Sequence, residues 1–146
     1  GALTLNGIAQ GTVDDRVAAL LARHGFHPPA IDAGELRLGP RQAVTIPHAG
    51  IRIRPGPGAV ATSLPGALAF PDGGHHLLAP ATGTSPRLWR GVTVVAPDAE
   101  TADALSTAFA VSQRGRIADL RPDGASVIAT DTAGRVHRFG PRLEES

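Results

Sequence analysis

Apolar residues first recur at helical spacing at Val17, Leu20 and Leu21, which predicts a helix over residues 12–24. Thr12 stands where an N-cap belongs, with Asp15 three positions on. Asp14 and Asp15 then fall in the first turn, where the helix dipole favours negative charge. Gly25 is a natural stop, and Pro28-Pro29 forces extended chain. From Gly34 onward the pattern alternates, so residues 30–38 read as a strand or hairpin arm. Ile and Arg alternate over 50–54, the mark of an edge strand with one wet face. Pro55-Gly56-Pro57-Gly58 is a tight loop, too short for a flexible linker. Residues 59–63 and 67–70 read as short strands, and the turn Pro71-Asp72-Gly73-Gly74 joins the second to His75–Ala79. The β-branched run 91–96 reads as a buried strand, and Asp98 N-caps a second helix over 98–112. The tail, 125–139, reads as a hairpin turning at Asp131–Gly134. Strands grouped around two principal helices predict an α+β unit with a mixed or antiparallel sheet, rather than a doubly wound one.

Length supports one unit: 146 residues, 42% hydrophobic, with a mean hydropathy of zero, carry one core comfortably and two poorly. All 14 basic residues are Arg, there is no Lys, and the formal net charge is +1. Such a chain offers no broad positive field to a phosphate backbone, and 3% aromatic content leaves few side chains for base stacking. Nucleic acid is therefore not an expected partner. No apolar run approaches the roughly 18 residues that would span a bilayer. With no Cys, disulfides, thiolate metal sites and a cysteine nucleophile are excluded.

Three local patterns carry candidate chemistry. Gly7-Ile8-Ala9-Gln10-Gly11 precedes a helix and could present backbone N–H groups to a phosphate. It lacks the Lys-Ser/Thr of a P-loop and the spacing of a dinucleotide fold, so by itself it reads as a strand-to-helix turn. His75 and His76 adjoin a turn; neighbours on a strand point to opposite faces, so the two do not readily share a metal. Asp103 and Thr107 lie four apart on the second helix, hence on one face. A carboxylate over a hydroxyl is an all-oxygen pair of the kind magnesium takes, although alone it reads equally as a solvated helix face.

The order and wording of the motifs join these pieces. Thr4-Leu-Asn-Gly-Ile-Ala-Gln-Gly11, Asp15-Arg16, Gly34-Glu35-Leu36-Arg37 and Ala61-Thr62-Ser63 come in sequence. They are followed by His76-x-x-x-Pro80-x-Thr82-Gly83, Val92-Thr-Val-Val-Ala-Pro97 and Ala102-Asp103-Ala-Leu-Ser-Thr107-Ala108. Together they resemble the C-terminal half of an ApbE-type FAD:protein FMN transferase, over nearly the whole chain. The resemblance implies a T-fold-like α+β architecture and Mg²⁺-dependent transfer of FMN from FAD to a Ser or Thr hydroxyl of a target flavoprotein, releasing AMP. It implies Asp103, Thr107 and the Gly7 carbonyl as magnesium ligands. Gly7, Gln10 and Gly11 would lie against FAD, with Glu35, Thr62 and Ser63 lining the flavin pocket and His76 accepting a proton near the attacking hydroxyl. It also implies a periplasmic or outer-face location.

The chain departs from that pattern at Gln10, where the family has Lys, and at Thr12, where it has Tyr. Ala79 replaces the Asp before the Pro of the His motif, Leu64 replaces Gly after Thr-Ser, and 39–60 is short. These departures keep a second reading in view, an impaired FAD-binding or flavin-handling module. A third has the chain as one half of a two-chain assembly. Because the sequence begins where the family's central motif begins, residues 1–146 are expected to be a single domain or the C-terminal portion of a larger one. Residues 1–11, read as a strand-like segment with a glycine turn, would leave Leu3, Leu5 and Ile8 without neighbours. The expectation is that the chain pairs with a second copy or an N-terminal fragment, which light scattering checks; a stable 14.9 kDa monomer would contradict it.

Overall fold

A computed structural model describes residues 4–145. Helix α1 (Ala9–Arg23) leads into a hairpin of β1 (Ala30–Asp32) and β2 (Leu36–Leu38). Strands β3 (Val44–Ile46) and β4 (Ile51–Arg54) form a second hairpin, and β5 (Gly58–Ser63) follows. A 3₁₀ turn at Pro65–Ala67 opens an irregular stretch that ends at the long strand β6 (Trp89–Ala96). Helices α2 (Ala99–Ala110) and α3 (Arg114–Leu120) precede the hairpin β7 (Ser126–Asp131) and β8 (Val136–Phe139), with β9 (Glu144–Glu145) last. Six strands form one sheet in the order β1-β2-β5-β6-β7-β8, and β3-β4-β9 form a smaller one. Every neighbouring pair is antiparallel. The architecture is α+β as expected, with a third short helix.

Alternation along the central strands sends side chains to two apolar layers. On one face Ala59, Ala61, Val92, Val94, Val127 and Ala129 pack beneath Ala99, Ala102, Phe109 and Ala110 of α2 and Ile117 of α3. On the other, Val60, Val95 and Ile128 meet Leu38, Ile46 and Ile53, so the small sheet covers the back of the large one. Being covered on both sides is why β6 reads as an unbroken apolar run.

Several expectations change. Helix α1 begins at Ala9 rather than 12, and Ile8 is its N-cap without a side-chain cap bond. Thr12 does not cap it: its Oγ1 lies 2.9 Å from the Ile8 carbonyl and 2.8 Å from Glu100 Oε2. Asp14 and Asp15 therefore lie beyond the first turn. The face that α1 buries carries Gly11 and Asp14, while Val13 and Leu20 stay exposed. Residues 4–8 form no strand; they turn directly into the helix. There Leu5 is exposed and Ile8 half-buried, and Leu3 lies outside the described residues. The segments 67–70 and 75–79 are not strands but are tied by single bridges, Ala69 to His75 and Ala79 to Thr84. Pro71, Pro80 and Pro86 remove the N–H donors that a ladder there would need. Helix α3 escaped the sequence reading because Ile117 alone of its residues is buried.

Helices α1 and α2 meet closely at Gly11. A Cβ built there would lie 2.2 Å from the Ala99 carbonyl oxygen and 2.8 Å from Glu100 Cα, so no side chain fits without parting the helices. Gly11→Ala is expected to cost about 2–3 kcal/mol. Gly115→Ala on α3, where a Cβ meets nothing within 4 Å, is expected to be neutral or slightly stabilising. Urea midpoints of the two variants check both.

Candidate functional site

The Gly11 contact decides what the ends of α1 and α2 place together. The Gly11 N–H donates to Asp103 Oδ2 at 3.0 Å, orienting the carboxylate of a residue only 3% exposed. Its Oδ1 has no hydrogen-bond partner among the described residues. A turn earlier, Gly7 lies so close to α2 that a Cβ on it would come within 2.8 Å of Thr107 Cγ2. Ser63, at the end of β5, reaches the same helix, with Oγ 2.9 Å from Ser106 Oγ and 3.3 Å from Thr107 Oγ1.

Asp14, expected as a dipole partner in the first turn, does something else. It is fully buried, and its two oxygens accept the Ala33 and Glu35 N–H groups at 2.8 and 2.7 Å. It thereby holds the β1–β2 turn that presents Glu35. Asp15 accepts the Ala99 and Glu100 N–H groups at 3.0 and 2.9 Å and pairs with Arg37. It caps α2 from outside while Asp98 caps it from within, through Thr101 N–H at 2.7 Å.

These placements line one cavity of about 700 Å³ with Gly7, Gln10, Glu35, Thr62, Ser63, His76, Asp103 and Thr107. Gly11 is the one expected site residue outside it; its N–H is spent on Asp103 rather than offered to a ligand. The lining also takes in Thr4, Asn6, Leu64, Leu77, Leu78 and Pro80, to which the sequence reading gave no role, although Thr4, Asn6 and Pro80 belong to the motifs that carry the resemblance. A second cavity of about 690 Å³, between β7, β8 and the C-terminal segment, holds none of these residues.

The cavity is negative. Neither Arg nor Lys is among its lining residues, whereas Glu35 and Asp103 both face it. Burial raises the Glu35 carboxyl to about 7, helped by the charges of Asp103, Asp14 and Asp32 and opposed by the Thr62 N–H. Burial also raises Asp103, against the Gly11 N–H and with the Asp14 charge. No group of three or more His, Cys, Asp or Glu is gathered to hold a metal among the described residues. What the described residues offer a hard cation here is one carboxylate, Asp103, with the Thr107 hydroxyl one turn on along α2 and Gly7 packed close to Thr107, beside a second desolvated acid.

The two histidines divide as a buried and a surface residue. His75 is buried; its N–H donates to Ser85 Oγ at 2.9 Å and its carbonyl accepts the Ser85 hydroxyl at 2.6 Å. Its ring bridges Pro86 O at 3.0 Å and the Leu77 N–H at 3.3 Å. Through these bonds His75 anchors the loop, and the two neighbours face different surroundings, one buried and one exposed. His76 is exposed at the cavity, with Nδ1 3.5 Å from the Leu68 carbonyl.

Glu35 makes stability depend on pH. Its carboxyl rises from 4.5 unfolded to about 7 folded, so between these values the native state binds more protons than the unfolded chain and stability falls as pH rises. Melting temperature is expected to decline from pH 5 to pH 8, and Glu35→Gln to flatten the decline. A wild-type profile that rises over this range would contradict the assignment.

A family model described as the ApbE family matches residues 1–128. The ApbE protein of Thermotoga maritima, a crystal structure, is similar at 32% identity and a TM-score of 0.80, over 94% of this chain and 51% of that one. The flavin transferase ApbE of Vibrio cholerae is 25% identical with a TM-score of 0.72, over 94% and 50%. The flavinyl transferase ApbE of Pseudomonas stutzeri, at 24% identity, shares the fold with a TM-score of 0.78, over 94% and 47%. The chain thus spans about half the length of each of these structures. A search of curated proteins finds no match. On the match over residues 1–128, the chain belongs to the ApbE family.

Proposed function

We propose that this chain forms the metal-and-flavin half of an FMN transferase, moving FMN from FAD to a Ser or Thr hydroxyl of a target flavoprotein and releasing AMP. The observation that carries the reading is the convergence of Gly7, Gln10, Glu35, Thr62, Ser63, His76, Asp103 and Thr107 on one cavity. They come from five separate stretches of chain, and a cavity of about 700 Å³ is of ordinary ligand size. A periplasmic or outer-face location goes with this reading.

Asp103, Thr107 and the Gly7 carbonyl would hold magnesium, which neutralises charge on a bound diphosphate and so supports its cleavage. The need for a cation is local: the lining supplies two acids and no Arg or Lys, so the protein alone would repel a diphosphate. Thr107 and Ser63 hold each other's hydroxyls in place, while the Gly11 N–H keeps Asp103 from rotating away. Glu35, with its carboxyl raised to about 7, can hold a proton against a ligand oxygen at modest electrostatic cost. His76 supplies the base: its Nε2 has no protein partner among the described residues, leaving it to take the proton of the attacking hydroxyl. Leu64, Leu77 and Leu78 line the same cavity.

A second reading, a module that binds FAD without transferring FMN, is favoured by Ala79. The side chain there carries no acceptor, and the residue's N–H goes to the Thr84 carbonyl at 2.8 Å. Among the described residues, His76 consequently has no carboxylate to orient it.

The test is incubation with FAD, Mg²⁺ and a target bearing a flavinylation motif, read as target mass. Transfer adds one FMN; FAD binding with an unchanged target mass would favour the module. Asp103→Ala is expected to lower Mg²⁺-dependent transfer about 100-fold, and Thr107→Val less, since it removes a neutral ligand. His76→Asn is expected to lower turnover about 100-fold or more with little change in FAD affinity. Magnesium dependence unchanged in Asp103→Ala would overturn the metal assignment.

A further inference from the structure

A polar chain runs behind the cavity on the face of the sheet turned toward the small sheet. His48 sits in the β3–β4 turn, and its ring packs against β6 at Gly91. A Cβ at Gly91 would come within 2.5 Å of His48 Cγ, so the ring needs glycine beneath it. Its Nδ1 is 2.9 Å from Thr130 Oγ1, and its Nε2 is 2.8 Å from Thr93 Oγ1. Thr93 Oγ1 is in turn 2.8 Å from Thr62 Oγ1, and Thr62 lines the cavity. Thr93 is completely buried and Thr130 is 1% exposed; Thr62 is half-buried.

Counting protons sets the direction of this chain. Burial, and secondarily the Arg90 guanidinium, lower the His48 pKa, so the ring carries one N–H. Three hydroxyls and that N–H bring four protons to three contacts, and one is left over. If Thr62 donated to Thr93 and Thr93 to Nε2, the Thr130 proton would be stranded in the core, for Thr130 Oγ1 has no other partner among the described residues. If Thr62 and Nε2–H both donated to Thr93, the Thr93 proton would be stranded. Either leaves a buried donor unmet, with its full desolvation penalty. One arrangement avoids this: Thr130 donates to Nδ1, Nε2–H to Thr93, and Thr93 to Thr62, leaving the spare hydrogen on Thr62 at the cavity wall.

We propose that His48 is a positioning residue whose Nε2–H tautomer, acting through Thr93, holds the Thr62 hydroxyl as a donor aimed at an acceptor atom of the bound ligand. Resting on the flavin reading above, that acceptor is a carbonyl oxygen or unprotonated ring nitrogen of the isoalloxazine, and a protonated ring nitrogen is disfavoured there. His48 itself touches no ligand. Its role was invisible in the sequence, where it stands in a turn at no recognisable spacing.

Two measurements test this on the intact chain. Long-range ¹H–¹⁵N correlation spectra of the ¹⁵N-labelled protein read the His48 tautomer without any ligand, and are expected to show Nε2 protonated and Nδ1 bare. The opposite tautomer or an imidazolium at neutral pH would overturn the proposal. FAD titration followed by flavin fluorescence then reads the coupling. Thr62→Val is expected to weaken binding about three- to tenfold. Thr93→Val should weaken it by a similar or smaller factor in the wild type and by nothing further in Thr62→Val. His48→Gln, which keeps a donor at the ε position, is expected to stay within about twofold of wild type, while His48→Leu follows Thr93→Val. An equal loss from Thr93→Val in both backgrounds would show a structural effect and overturn the relay. Failure of the wild type to bind FAD would instead sink the flavin reading while leaving the tautomer result standing.

Discussion

The close approach of α1 to α2 at Gly11 is the contact on which the site depends. Helices separated by ordinary side chains pack 8–10 Å apart, but here the backbone of α1 lies against the Ala99 carbonyl with no room for a methyl group. At that distance main-chain groups and short side chains of one helix reach the other. Gly11 N–H meets Asp103, Thr12 meets Glu100, and Asp15 caps the first N–H groups of α2. Asp14, three residues on along the same buried face of α1, grips the loop that carries Glu35. One glycine thus sets the relative positions of two acids that come from opposite sides of the cavity.

That arrangement concentrates negative charge, and the protein offsets it unevenly. Asp14 is satisfied by two N–H donors and Asp15 by two more with Arg37. Both act as structural clamps for which the backbone supplies the partners. Asp103 has one N–H, and Glu35 has the Thr62 N–H against burial and three neighbouring acids. The least compensated carboxyls are therefore those facing the cavity. Groups left in that condition are suited to a ligand or cation that completes them.

Much of the frame was legible from residue pattern: the β6 run, the Asp98 cap of α2, the 126–139 hairpin, and the alternation that becomes β1, β2 and β4. These elements are set by local periodicity and caps. What escaped is set by contacts across the chain. Thr12 and Asp15 imitate a capping pair, yet each is used by α2, so the true start of α1 is displaced by three residues. His75 looks like a strand residue until Ser85, ten positions on, is seen to hold it. The site residues were named from motif order and not from spacing, since Asp103 and Thr107 alone read equally as a wet helix face. Only the fold shows that Ser63 and Gly7 close over that face.

The departure at position 10 acquires a physical meaning in this setting. Gln10 rests against the β1–β2 turn: a Cβ on Gly34 would lie 3.2 Å from its Nε2, which puts the amide beside Glu35. A lysine there, as the family resemblance implies, would bring an ammonium next to that carboxyl and lower its pKa. It would also bring a fixed positive charge to a diphosphate. With a neutral amide there, Glu35 titrates near pH 7, and the lining of the cavity has no permanent cation of its own. On the proposed reading, charge neutralisation would then fall on a cation held at Asp103 and Thr107. On that reading, a site without the lysine would depend more on a bound metal and on the protonation of Glu35 than one that carries it.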